Sequence, residues 1–474
     1  MKNRNQSLDA LRGFAILTMI LSGSIAFGDV LPAWMYHAQV PPPNHIFIPA
    51  IAGISWVDLV FPFFLFSMGA AIPLALQIKV KEKAGFLSIF SVAGRRYLLL
   101  CFFALFTHHL TPSSIAAIPT AANYLISMAA FVLLFFQLYN NKNEKYIRLF
   151  SGLKLLAYLL AVVLLYLLPF NKDGKGFSLY NSDIIIILLA NMAFFGTIIW
   201  WLTKNKPWVR IGILPFIMAI FLAAGEPVDG WAKSLFNFNQ LAGFHFNWLY
   251  QFDFLKYLFI IIPGTFAGEW LLKFKDVTGV ENLQRHRSHS KLIMLEAFML
   301  VVSNIILLFG RHLLLNLVIT VALLTAIYFL IKQMGIQNYP LLNRLFMAGA
   351  YCLLLGLFFE AYQSGIKKDH ATFSYYFVSS GLAFFMLIVL NGLELTRMGS
   401  PINHYLSLNG KNPMVAYIAG GLLLTPLLYL TGAISIFNGM NTNAWLGFLK
   451  GVLFTTLVSL ITMLFTKKGW FWKT

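Results

Sequence analysis

At 474 residues, 59% of them hydrophobic and only 11% charged, the chain is too apolar for a soluble globular protein, in which about a quarter of residues are charged. Its formal net charge of +18 does not mark a nucleic-acid binder, because the Lys and Arg residues sit in short loops between apolar runs, where they set membrane topology. The two cysteines, Cys101 and Cys352, both fall inside apolar runs, where a free thiol behaves as a small hydrophobe, so neither a disulfide framework nor a thiolate metal site is expected.

The apolar runs have the length a helix needs to cross a bilayer, roughly 20 residues. They predict an all-α polytopic membrane bundle of about fourteen (12–14) transmembrane helices, folded as one integral-membrane domain over residues 1–474 with no soluble domain. The spans are expected near 8–27, 54–76, 97–110, 115–139, 153–169, 183–202, 210–225 and 246–271, then near 292–310, 313–331, 341–362, 373–395, 412–430 and 445–466. The basic N-terminus lacks a small-residue cleavage site, so the first run is read as a retained helix. An even count places both termini on one side, and the charge bias makes that side the cytoplasm. Lys79, Lys81, Lys83, Arg95 and Arg96 follow the second span, and Lys273, Lys275, Arg285, Arg287 and Lys291 follow the eighth. The outer loops hold only Lys172, Lys175, Lys233, Arg311, Lys367 and Lys368. Residues 28–53 and the start of the second span then face the exterior of a bacterial inner (cytoplasmic) membrane.

Taken in chain order, the polar residues inside or beside these spans are the candidates for chemistry. In SLDALRG, Asp9 and Arg12 stand three apart on one helical face. They read either as an ion pair, with Ser7 capping the helix, or as a basic anchor for a cytosolic anion. The first outer loop contains His37, His45 and the run Pro41-Pro42-Pro43, a stiff polyproline element that should make the loop hold a shape. The second span carries Asp58 about one turn inside its first end, Pro62 further on, and a small-residue face at Gly69-Ala70-Ala71. A charge in hydrocarbon costs roughly 2.5–3.5 kcal/mol on insertion scales, so Asp58 calls for a partner or a task. A neutral imidazole serves as base or nucleophile near neutral pH, and a carboxylate orients it, which pairs Asp58 with one of the two loop histidines.

His108 and His109 close the third span, where adjacent residues point apart and make no metal pair; Asp253 and Glu360 are read as solvated span ends. On the inner side, Arg95-Arg96 open the third span, Glu269 closes the eighth, and Lys411-Asn412-Pro413 opens the thirteenth. Basic residues at helix starts suit phosphate groups, and the same residues also follow from topology alone. The chain holds no P-loop, no G-x-G-x-x-G, no G-x-S-x-G and no H-E-x-x-H, and no metal site is expected.

SLDALRGFAILTMILSG, the His37-Ala38 pair in the loop, GISWVDLVFPFFLFSMG and LNGKNPMVAY together resemble the transmembrane acyltransferases related to heparan-α-glucosaminide N-acetyltransferase, in particular an uncharacterised bacterial branch. The motifs span nearly the whole chain, and DLVFPFFLF after a His-containing loop is the most specific of them. The resemblance implies transfer of an acetyl group from cytosolic acetyl-CoA to a sugar amine or hydroxyl of a glycan on the far side of the membrane. It implies His37 as the active-site residue with Asp58 beside it. The His-to-Asp interval is longer here through the PPPNH stretch, which keeps His45 as the second candidate, and the family's asparagine near the end of the first helix falls at Gly23. Arg12, Arg95, Arg96, Lys411 and Asn412 would hold the phosphates of acetyl-CoA. Expected partners are membrane lipids, acetyl-CoA and a glycan or amino-sugar acceptor, with a homodimer among the assemblies open to the chain. The rival class is a proton-coupled transporter or flippase of a glycan or lipid precursor, with Asp58, Glu360 and the histidines as a proton relay.

Overall fold

The computed structural model describes residues 5–141, 143–170, 176–225, 230–238, 240–241, 243–274 and 287–473. Lys172, Lys175, Lys275 and Arg285, and most of the basic loop before Lys291, lie outside the described residues.

The longer helices and the two pieces of the thirteenth span are, in chain order, α1 Gln6–Ser24, α2 Trp56–Lys81, α3 Phe86–His109, α4 Ala121–Leu138, α5 Ile147–Leu167, α6 Ile184–Thr203, α7 Pro207–Gly225 and α8 Leu258–Lys273. They continue as α9 Arg287–Phe309, α10 Leu313–Met334, α11 Pro340–Phe359, α12 Phe373–Leu393, α13 Gly399–Gly410, α14 Pro413–Ala419, α15 Thr425–Leu430 and α16 Ala444–Lys467. Among the described residues thirteen helical stretches are long and apolar enough to cross a membrane, so the chain is a polytopic all-α membrane protein. A two-residue pairing of Gln240–Leu241 with Phe244–His245 is a local turn within this helical frame. In lipid a backbone must satisfy its own hydrogen bonds, and apolar runs of this length do so as helices.

Each expected span corresponds to a helix, with instructive differences. The first forms α1 but is not among the thirteen, since Ser7, Asp9, Arg12 and the Ser22-Gly23-Ser24 end dilute its hydropathy. The third starts much earlier than expected, at Phe86, because FLSIFSVAG contains no breaker strong enough to delay it; Arg95 and Arg96 therefore lie in mid-helix rather than at its start. The thirteenth is broken into α14 and α15 by a π-helical turn at Gly420–Leu424, where two glycines weaken the ladder. Just before that span, SLNG ends α13, a twelve-residue helix that lacks the length to span.

The chain divides into two compact units. The first comprises Met1–Lys81, Phe259–Pro413 and Met440–Thr456. Its centre is α12, buried along its whole apolar window, with α1, α2, α9, α11 and α13 packed on it. Small residues permit the tight crossings. A Cβ on Gly13 would overlap the Leu406 carbonyl, and one on Gly410 the Asp9 carbonyl, so α1 and α13 touch backbone to backbone. The expected small-residue face of α2 packs the same way: Gly69 lies on Ile261, while Gly264 and Gly268 of α8 lie on Phe66 and Ala70.

The second unit comprises Glu82–Leu258, Met414–Gly439 and Leu457–Thr474. In it α3 packs on α6, whose N-cap Asp183 accepts from the Ile185 and Ile186 amides and from the Tyr417 hydroxyl at 2.6 Å. Asn191 Nδ2 and Tyr97 Oη both donate to the Leu249 carbonyl at 2.9 Å.

Candidate active site

Everything at this site belongs to the first unit. Ser55 stands just before α2, and Asp58, in the helix's first turn, reaches back to it. Asp58 Oδ2 accepts the Ser55 amide at 2.9 Å, one half of a capping box, and lies 3.3 Å from the Ser55 hydroxyl oxygen. The Ala38 amide reaches the same oxygen at 3.2 Å. Oδ1 is left for His37, whose Nδ1 lies 2.7 Å away. One carboxylate thus does two jobs through different oxygens, holding the backbone of two segments with Oδ2 and the imidazole with Oδ1.

The ring nitrogens are then assigned by this network. Nδ1 carries a proton donated to Asp58, so Nε2 presents the lone pair. Asp58 has a side chain only 2% exposed, whereas that of His37 is 37% exposed, so the imidazole is reachable and its anchor is not. Tyr375 on α12 donates its hydroxyl to the Asp58 carbonyl at 2.7 Å, tying the start of α2 to the central helix.

The segment before α2 is stiff. Tyr36 donates to the Ala26 carbonyl at 2.6 Å, the Ser55 hydroxyl donates to the Tyr36 carbonyl at 2.6 Å, and the Gly53 amide donates to Ile366 at 2.7 Å. Burial pushes the Tyr36 phenol above its ordinary range, against the pull of a backbone hydrogen bond at Leu31. The three prolines do not run out as an extended rod. Residues 42–45 turn, closed by the His45 amide donating to the Pro41 carbonyl at 3.1 Å, with His45 itself at φ 49°.

His45 is therefore built into the loop rather than brought to Asp58. The Gly28 amide donates to its Nε2 at 2.9 Å, its Nδ1 lies 3.3 Å from the Val40 carbonyl, and its ring packs edge-on to Tyr36 and Phe27. Of the two loop histidines, it is His37 that the structure places against Asp58.

A third charged group completes the site. Lys368, in the connection between α11 and α12, has its Nζ 3.2 Å from both ring nitrogens of His37. Since Nδ1 already donates to Asp58, the ammonium has only the Nε2 lone pair to donate to. Its place is set by Gln39, whose buried side-chain amide mimics a peptide: Oε1 accepts the Asp369 amide at 2.8 Å and Nε2 donates to the Asp369 carbonyl. Behind it, Arg311 pairs with Glu360, which also accepts the Ile366 amide at 3.3 Å. Glu360 is thus buried and paired at 6% exposure, not a solvated span end, because the turn after α11 folds back over it. Asp253 is the exposed end residue expected, beside Lys256 at 3.5 Å.

The other candidates lie elsewhere. Asn5, not Ser7, caps α1 by accepting the Leu8 amide at 2.8 Å. Ser7 instead donates to Glu394. Arg12 pairs with Asp9 at 3.2 Å and donates to the carbonyls of Gly410 at 3.3 Å and Ser67 at 3.4 Å, so its guanidinium brackets the crossing of α1, α13 and α2. Lys411 forms the C-cap of α13 at that crossing, half-buried, and Asn412 is fully buried beside it. Arg95 and Arg96 belong to the second unit. There His109 is buried, its Nδ1 2.9 Å from the Leu105 carbonyl and its ring against Phe170 and Phe177. Among the described residues no three His, Cys, Asp or Glu side chains gather as metal ligands.

The fold and this site define a polytopic α-helical membrane protein with a buried aspartate orienting an accessible histidine. Residues 4–271 match a family described as a domain of unknown function, DUF5009, and the chain belongs to that family. The matched stretch includes His37 and Asp58 and ends before Lys368. No curated protein matches the chain.

Proposed function

We propose that the protein is a transmembrane acyltransferase similar to heparan-α-glucosaminide N-acetyltransferase, passing an acetyl group from acetyl-CoA in the cytosol to an amine or hydroxyl of a glycan outside a bacterial inner membrane. The observation that carries this reading is the 2.7 Å pair of His37 Nδ1 with the buried Asp58 carboxylate, which makes Nε2 of a reachable imidazole the acting atom, with the Lys368 ammonium 3.2 Å from it. When bound, acetyl-CoA supplies an activated acyl thioester. Nε2 then either takes the proton of the acceptor amine as it attacks that carbonyl, or itself accepts the acyl group and passes it on. Asp58 stabilises the positive imidazole in both cases, as the third member of a hydrolytic triad does. In either case the C–S bond breaks and the donor leaves as a thiolate.

Arg12 is engaged by its own helix crossing, which leaves Lys411 as the basic group of that crossing suited to the donor's anionic end, with Arg95 and Arg96 as further candidates in the second unit. The proton-relay transporter draws less support, because Glu360 is committed to Arg311 and His109 to a backbone carbonyl. The test is acetyl transfer by the purified full chain in nanodiscs, from labelled acetyl-CoA to glucosamine. Labelled product that disappears in His37→Ala supports the proposal; undiminished product in that variant rejects the site.

A further inference from the structure

A cavity of about 210 Å³ opens in the first unit at the opposite end of α12 from the histidine site. Tyr375 marks the Asp58 end of that helix and Glu394 caps the other, a rise of about 28 Å along its axis. That is close to the roughly 30 Å thickness of bilayer hydrocarbon, so the cavity is separate from the His37 site.

Its walls are largely aliphatic, Leu271, Ile293, Leu342 and Leu345 among them, and Glu394, Asn391, Ser290, Asn5 and Tyr339 bring polar groups to it. Glu394 is met by the Ser7 hydroxyl and the Asn403 amide, both at 2.9 Å and both on Oε1, so among the described residues Oε2 has no donor. Asn391 donates its own amide to the Leu387 carbonyl at 3.0 Å, which leaves its Oδ1 as an acceptor. Ser290 is 5% exposed, and its Oγ lacks a hydrogen-bond partner among the described residues. Among the described residues no Lys, Arg or His side chain lines the cavity. A carboxylate against aliphatic walls is costly without a cation, and burial already pushes the Glu394 carboxyl above the ordinary glutamate range.

From this arrangement we infer a second binding site, for a primary ammonium on a small aliphatic body, with its N–H groups shared among Glu394, Asn391 and Ser290. A carboxylate, an amide carbonyl and a hydroxyl match the three donors of an ammonium, and the leucines and isoleucine match its carbon chain. An engineered cavity of about 150 Å³ holds benzene, so one of about 210 Å³ suits an amine of roughly seven heavy atoms. The ammonium is supplied either by a free amine or by the head group of an aminophospholipid.

The test is equilibrium dialysis of labelled hexylamine against the full chain in phosphatidylcholine nanodiscs, and it is independent of any acyl-transfer activity. Saturable binding of one hexylamine per chain is expected, weakened at least tenfold in Glu394→Gln and resistant to competition by hexanol or hexanoate. Glutamine keeps an acceptor for Ser7 and Asn403, and thermal unfolding of the variant no lower than that of the native chain checks that the fold is retained. If Glu394→Gln does not fold, Leu342→Phe, which narrows the cavity from its half-buried side, should weaken binding instead. Added phosphatidylethanolamine that displaces hexylamine identifies a lipid head group as the source; failure to displace it identifies a free amine. Absence of saturable binding, equal competition by hexanol, or binding by Glu394→Gln within twofold of the native chain would overturn the inference.

Discussion

Replacing Asp58 by Asn and by Ala separates the two jobs of one carboxylate. The oxygen at the Oδ2 position must accept from the Ala38 amide and the Ser55 amide, so in Asp58→Asn the amide carbonyl takes that place. The NH2 group then occupies the Oδ1 position, 2.7 Å from His37 Nδ1, and can only donate. The imidazole responds by moving its proton to Nε2, which removes the lone pair that would act. In a Ser-His-Asp triad the same tautomer reversal lowers turnover about 10⁴-fold, and a loss of at least about 10³-fold is expected here. Stability should change little, by about 1 kcal/mol, the difference between a charge-assisted and a neutral hydrogen bond. Asp58→Ala should lose activity as well and also destabilise by about 4 kcal/mol, because two buried amides lose their acceptor at about 1–3 kcal/mol each. The assay is acetyl transfer to glucosamine beside thermal unfolding in nanodiscs. Asp58→Asn that keeps more than a tenth of native transfer would refute the tautomer argument, and Asp58→Ala as stable as Asp58→Asn would refute the division between the two oxygens.

Three further outcomes follow from the same contacts. His37→Ala should abolish transfer with no loss of melting temperature, whereas His45→Ala should destabilise by about 2 kcal/mol through its lost ring packing and hydrogen bonds while retaining part of the activity; the reverse pattern would exchange their roles. Gly13→Ala and Gly410→Ala each drive a methyl group into a facing backbone carbonyl and should destabilise by about 3 kcal/mol, read as a lower midpoint of unfolding; a change under about 0.5 kcal/mol would show that α1 and α13 do not touch there. Burial raises Glu394, so the folded state holds that proton more tightly than the unfolded chain, and the stability it contributes falls as pH rises from the ordinary glutamate range through the folded-state value. Glu394→Gln cannot ionise and should flatten that fall, melting higher than the native chain near pH 8 and alike in acid; parallel profiles would contradict the assignment.

The helical frame was legible because apolar runs in lipid have few alternatives to a helix, and the awkward Asp58 pointed to the site directly. Ser55-x-x-Asp58 also carried a capping-box pattern, a local signal that places the carboxylate at the helix start and turned toward the loop. Lys368 was not legible: it stands 331 residues from His37, and in the sequence it counted only as a loop charge. Gln39 and Glu360 escaped for a related reason, since their roles depend on the turn between α11 and α12 folding back. The position of Arg12 could not be read from SLDALRG alone, because its acceptors sit on α13 and α2. Helix α13 was hidden by composition, as SPINHYLSLNG is too polar and too short to register as a span.

The central claim, acyl transfer across a membrane at His37, is tested most directly with the full chain in sealed vesicles whose cytoplasmic face is outward, with labelled acetyl-CoA outside and glucosamine trapped inside. The account predicts labelled N-acetylated sugar accumulating in the lumen, dependent on acetyl-CoA and lost in His37→Ala. Movement of unmodified sugar across the membrane without acetyl-CoA, and no label on the trapped sugar, would contradict it.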